Sequence, residues 1–84
     1  MTDKKQMTLT RMQSGRGGVV VQIDGGCGLV SRLDALGIRP GRRVTKVSSM
    51  LMRGPVTIEM NGARVAIGFG MAKKVIVEPD GDRE

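Results

Sequence analysis

Residues 26–41 contain a single amphipathic helix and the signal that ends it. Gly37 stands where a left-handed C-terminal cap is needed, and Pro40 prevents the helix from continuing. Three leucines recur at the helical spacing i, i+4 and i+7 and form one apolar stripe: Leu29, Leu33 and Leu36. We therefore predict one short α-helix over about residues 28–36.

Alternation with period two dominates the chain after the helix and predicts β-strands. Apolar residues alternate over residues 56–60 and again over 63–69, where Phe69 completes the core-facing series. The Asn61-Gly62 pair between the two runs is typical of a two-residue type I′ turn. That turn fixes which residues face each other across the hairpin: Met60 and Ala63, Glu59 and Arg64, Ile58 and Val65, Thr57 and Ala66, Val56 and Ile67.

Shorter apolar runs predict the other strands. A first strand covers residues 7–9, a second covers residues 18–23, and a last one covers residues 75–77. In the second strand we expect Val20 on one face and the remaining apolar side chains on the other: Val19, Val21 and Ile23.

Two irregular segments flank the predicted hairpin. Val44 and Val47 are three residues apart and cannot share a face of a regular strand, so a bulge is expected near Thr45 and Lys46. Residues 71–74 are expected to form a single helical turn. Five or six short strands with one helix are typical of a mostly β, small and partly open barrel.

The chain length sets the domain organisation. With 84 residues the chain forms one domain and has little surface to spare for a deep catalytic cleft. We expect a flexible N-terminus over residues 1–6, the barrel domain over 7–78, and a flexible acidic tail over 79–84.

The residues present exclude several kinds of active site. There is no histidine, and Cys27 is the only cysteine, so the ligands of a zinc site and the Ser-His-Asp or Cys-His catalytic arrangements are missing. We interpret Cys27 as a small side chain at a crowded turn, and we predict no enzymatic activity, cofactor or metal site. No apolar run reaches the length of a membrane span, and no signal peptide is evident, so we expect a cytoplasmic protein without membrane insertion.

Basic residues outnumber acidic ones, with a formal net charge of +6. This charge is compatible with nucleic acid, acidic lipid or an acidic protein partner, and also with an ordinary solvated surface. Phe69 is the only aromatic residue and is assigned to the core, so a stacking platform for bases is absent. A basic nucleic-acid-binding domain with salt-sensitive, nonspecific binding is therefore the alternative function rather than the leading one.

An interaction surface is the remaining functional candidate. Leu51 and Met52 form an apolar pair in a loop, where the domain itself has difficulty burying them. The two side chains either border a partner groove or pack over the open end of the barrel. Arg53 stands at the tip of the same loop, where an arginine finger for a nucleotide held by another protein is a further alternative.

Two motifs resemble the FeoA family (ferrous iron transport protein A). The first is Gly15-Arg16-Gly17-Gly18-Val19, and the second is Arg32-Leu33-Asp34-Ala35-Leu36-Gly37-Ile38-Arg39-Pro40-Gly41. The strand at 56–60 after Pro55 and the closing strand at 75–77 extend the resemblance over nearly the whole chain. Members of this family resemble SH3-like barrels, in agreement with the predicted strand count.

The resemblance implies a noncatalytic accessory protein that docks on a membrane ferrous-iron transporter with a GTPase domain. Ferrous iron is then the cargo of the transport system. The helix and the loop supply the predicted partner-binding residues: Leu29, Arg32, Leu33, Leu51, Met52 and Arg53. The family often has Gly-Asp-Pro where this chain has Arg53-Gly54-Pro55. The aspartate of the family is therefore missing here, and no role of that aspartate is transferred to this chain.

Overall fold

The computed structural model describes residues 5–49 and 54–80. Their elements follow in chain order: β1 (Met7–Thr8), a 3₁₀ turn (Leu9–Arg11), β2 (Gly17–Ile23), α1 (Cys27–Ala35), β3 (Arg43–Ser49), β4 (Val56–Met60), β5 (Ala63–Ile67), α2 (Phe69–Ala72) and β6 (Val75–Pro79). The strands form one antiparallel sheet in the order β1-β6-β2-β3-β4-β5. This sheet does not close on itself, and the predicted mostly β, partly open SH3-like barrel is confirmed.

The helix ends as its sequence predicts. Gly37 adopts a φ of +90°, and its N–H donates to the carbonyl of Asp34 at 2.9 Å. The N–H of Ile38 donates to the carbonyl of Leu33, also at 2.9 Å, and the side chains of both residues are fully buried. These bonds form a Schellman motif with its usual apolar contact partners. The helix spans Cys27–Ala35, one residue earlier than predicted.

The hairpin register is confirmed at all five predicted pairs, from Met60 opposite Ala63 to Val56 opposite Ile67. Asn61 has a φ of +51° and Gly62 a φ of +82°, as a type I′ turn requires. β5 is shorter than predicted because it ends at Ile67. The placement of Phe69 on the core face of that strand is therefore wrong: Phe69 begins α2 and is half-buried.

The predicted face of Ile23 in β2 is also wrong, because the strand contains a bulge that lets Ile23 pack against the same core as Val20. Val20 is fully buried opposite Val77, whereas Val19 and Val21 are half-buried. The register with β6 shifts between Val20 and Gln22, so Val21 is an extra residue. A second shift, between Lys46 and Ser48 of β3, lies next to the bulge predicted near Thr45 and Lys46.

One apolar core fills the space inside the curved sheet. It consists of Leu9, Met12, Val20, Leu33, Ile38, Val44, Val56, Ile58, Met60, Ile67, Ala72, Val75 and Val77. β2 and β6 cross very closely at Gly18, where a Cβ atom would lie 2.8 Å from the carbonyl oxygen of Glu78. A glycine is therefore required for this pairing.

The last strand continues into the segment that was assigned to the acidic tail. Pro79 belongs to β6, and the N–H of Asp80 donates to the carbonyl of Gly17 at 2.9 Å. The Asp80 carboxylate accepts a hydrogen bond from Arg43 at 2.5 Å. The first two tail residues are thus attached to the sheet.

Candidate partner-docking surface

Helix α1 packs on the core through Leu33 and Leu29 and presents apolar groups on both flanks. Leu33 is the buried residue of the helix, at 0% exposure. Val30 and Leu36 are each 39% exposed, and they are the exposed large hydrophobic residues of the described chain. Exposed apolar groups on an otherwise charged surface are a common feature of protein interfaces. We name Val30, Arg32 and Leu36 the helix surface.

The structure separates the predicted partner-binding residues into three groups. Arg32 is exposed, and Leu29 is half-buried against the core and against Gly25. The prediction that Leu33 contacts a partner is wrong, because its side chain has no exposed surface. Three predicted residues lie outside the described residues: Leu51, Met52 and Arg53. Sequence periodicity missed Leu36 as a surface group, because it treated the whole leucine stripe as one face.

A basic concavity lies beside the helix surface. It has a volume of about 420 Å³ and is lined by Arg39, Pro40, Gly41, Arg42, Arg43 and Asn61. Its two sides are the segment between α1 and β3 and the turn of the β4–β5 hairpin. The Met60 side chain packs near Gly37, which holds these two sides together. We name this site the arginine concavity; the signal for it was the run of three arginines around Pro40-Gly41.

Each arginine of the concavity is held by one hydrogen bond. Arg39 donates from Nε to Asp34 at 2.7 Å, and Arg42 donates from Nε to the carbonyl oxygen of Gly37 at 3.1 Å. Arg43 donates from a terminal nitrogen to Asp80. The Nε bonds orient two guanidinium groups and leave their terminal nitrogens as donors for a ligand.

Lys46 is a buried charged residue that the sequence did not reveal. It is 3% exposed, and Nζ donates to the carbonyl oxygens of Met12 at 2.6 Å and Thr10 at 3.1 Å. Burial away from water lowers the pKa of Lys46 from its ordinary value. The ammonium group thus fastens the 3₁₀ turn to β3, and it faces inward rather than toward a partner.

Residues 5–49 and 54–80 contain no group of three or more His, Cys, Asp or Glu side chains arranged to hold a metal ion. Cys27 is an exposed free thiol at the start of α1. None of the described helices is long and apolar enough to cross a membrane.

Comparisons with known proteins decide the family. The model of the FeoA domain matches residues 7–79. The chain belongs to the FeoA family. A relative from Methanocaldococcus jannaschii, named "Putative Fe(2+) transport protein A", is 40% identical over 60 residues, which is 71% of each chain. The FeoA family is thus associated with ferrous iron transport, and nothing in it indicates catalysis.

Solved structures share the FeoA fold. A crystal structure of an iron uptake regulatory protein (FeoA) has a TM-score of 0.81 at 36% identity, covering 89% of this chain and 97% of that one. The solution structure of FeoA from Chlorobium tepidum has a TM-score of 0.80 at 19% identity and covers 93% and 74%. A manganese-dependent transcriptional repressor reaches a TM-score of 0.80 at 19% identity, covering 93% of this chain and 44% of its own, and shares the fold alone.

Proposed function

We propose that this FeoA-family chain is a noncatalytic accessory protein of ferrous iron uptake. It docks in the cytoplasm on the GTPase domain of a membrane ferrous-iron transporter, and iron is the cargo of that system rather than a ligand of this chain. Family membership supports the link to iron transport. The helix surface is the single observation that carries the docking role.

The helix surface combines exposed apolar groups with a rigid support. Val30 and Leu36 each keep 39% of their surface in contact with water. Fully burying such a side chain contributes about 1.5–3 kcal/mol, so covering the remaining part contributes roughly 0.5–1 kcal/mol at each residue. The Schellman bonds and the buried Leu33 fix the C-terminal end of the helix. Little conformational freedom is therefore lost when a partner covers this surface.

The experiment is a titration of the purified transporter GTPase domain with this protein. We expect Val30→Asn and Leu36→Asn to weaken binding, and the double variant to weaken it by about tenfold, as the loss of covered apolar surface predicts. Gln13→Asn is the matched control, because Gln13 is exposed and lies outside α1, on a surface beside Met7 and Pro79. Equal affinity of the folded double variant and Gln13→Asn would reject the helix surface.

The predicted loop residues stay part of this proposal, although no described contact supports them. If Arg53 acts as an arginine finger, the protein accelerates GTP hydrolysis by orders of magnitude, and Arg53→Ala abolishes this acceleration. The same titration can measure hydrolysis. Binding without acceleration would leave docking as the function and remove the activator role.

A further inference from the structure

We infer that the arginine concavity binds carboxylates from an acidic segment of the docking partner. This inference rests on the proposed function and adds the chemistry of the partner. The concavity has charged donors on one side, small walls at Pro40 and Gly41, and a volume of about 420 Å³. Such a space admits one or two acidic side chains.

The donors are arranged for carboxylate recognition. Because Arg39 and Arg42 use Nε for their internal bonds, neither donates from its terminal nitrogens to a described residue. A guanidinium group held in this way presents parallel N–H donors, which match the two oxygens of a carboxylate. The internal bonds also reduce the side-chain freedom that binding would otherwise remove.

The charges of the concavity are only partly balanced within the chain. Asp34 pairs with Arg39, and Asp80 pairs with Arg43. Arg42 instead donates to a carbonyl oxygen, so its positive charge has no carboxylate beside it among the described residues. An incoming carboxylate therefore gains most at Arg42.

The surroundings favour a protein segment over nucleic acid. Leu36 lies three residues before Arg39, so one partner can cover the helix surface and reach the concavity. Arginine is enriched among the residues that contribute most of the binding energy in protein interfaces. Bases would need aromatic platforms, and the one aromatic residue, Phe69, is half-buried on α2.

The test measures affinity for the transporter GTPase domain at low and at physiological ionic strength. We expect Arg42→Gln to weaken binding by about tenfold at low salt, and Arg39→Gln to weaken it less, because Arg39 is already paired with Asp34. Arg42→Lys keeps the charge but loses the planar fork, so it should recover only part of the affinity. Arg11→Gln is the control: it removes the same charge from an exposed position in the 3₁₀ turn.

Each outcome separates this inference from the proposed function. If the wild type binds and the folded Arg42→Gln and Arg39→Gln variants bind equally well, the concavity is not used, and docking itself stands. If the wild type does not bind the GTPase domain, docking fails. A synthetic peptide of alternating glutamate and alanine then tests the concavity alone, and binding that depends on Arg42 supports it. Tighter, Arg42-dependent binding of a DNA duplex than of this peptide would overturn the carboxylate assignment.

Discussion

Replacing Lys46 by methionine removes the buried ammonium group while keeping an unbranched apolar side chain. In the native protein Nζ donates to the carbonyl oxygens of Met12 and Thr10, and the residue is only 3% exposed. Methionine has no donor, so both carbonyl groups lose their side-chain partner. We expect the 3₁₀ turn to loosen from β3, because these two bonds join the turn to that strand. The edge strand β1 directly precedes the turn and should loosen with it.

Two opposing effects set the magnitude for Lys46→Met. Hydrogen bonds to a charged group contribute about 1.5–3 kcal/mol each, so two of them contribute about 3–6 kcal/mol. Burying the ammonium group costs several kcal/mol after relaxation. The pKa of Lys46 is lowered because burial penalises its charged form. Lys46→Met relieves that cost but leaves two carbonyl oxygens without their side-chain donor, at about 1–3 kcal/mol for a buried group, so we expect a net loss of about 1–3 kcal/mol in the free energy of unfolding at neutral pH.

The pH dependence of this loss follows from the direction of the pKa shift. Because the pKa of Lys46 is lower in the folded protein, the unfolded chain binds more protons between that lowered pKa and the ordinary value of 10.5. The stability of the wild type must then rise with pH in this window, while Lys46→Met lacks this contribution. The deficit of the variant should accordingly be larger near pH 10 than near pH 7. The chain has no tyrosine and no histidine to obscure the comparison.

The assay is urea unfolding followed by far-ultraviolet circular dichroism at both pH values. Lys73→Met is the control, since it makes the same change at an exposed position at the end of α2 and should alter stability by less than about 0.5 kcal/mol. A deficit that shrinks as the pH rises would refute the reasoning. It would mean that the two carbonyl groups stabilise the charged form more than burial destabilises it.

Three substitutions test other parts of the fold. Leu33→Ala should lower the free energy of unfolding by about 2–5 kcal/mol, read from the urea midpoint; a change below about 1 kcal/mol would contradict its place in the core. Gly18→Ala puts a methyl group against the carbonyl of Glu78, so we expect a loss of about 1–3 kcal/mol and faster amide exchange in β6. Gly62→Ala forces alanine to a φ of +82° and should lower the thermal midpoint, whereas Gly70→Ala, in α2 with open space, should not.

Local signals in the sequence were sufficient where the backbone conformation depends on neighbouring residues. Asn61-Gly62 determines a turn, and the turn determines the register of the whole hairpin, so all five pairs were predictable. Gly37 in the same way marks the end of α1. These predictions need no knowledge of the distant chain.

Other features depend on partners far along the sequence. The bulge at Val21 lies in the pairing of β2 with β6, and it lets Ile23 pack against the same core as Val20, whereas simple alternation placed the two on opposite faces. Lys46 is buried because the 3₁₀ turn offers two carbonyl oxygens, which no pattern around residue 46 indicates. The arginine concavity requires the hairpin turn to meet the segment after α1, and only the tertiary structure brings Asn61 there.

The position of β6 has a consequence for the order in which the chain can fold. β6 is the last of the described strands, yet it lies between β1 and β2, with Met7 paired to Val77. β3, β4 and β5 leave the ribosome earlier and pair with strands that are adjacent in the sequence. Within the described residues β1 has no other strand partner, so it cannot pair until β6 has been synthesised. A product truncated before Val75 would keep two strand edges unpaired and would be open to proteolysis and aggregation, which makes synthesis through β6 a condition for a finished fold.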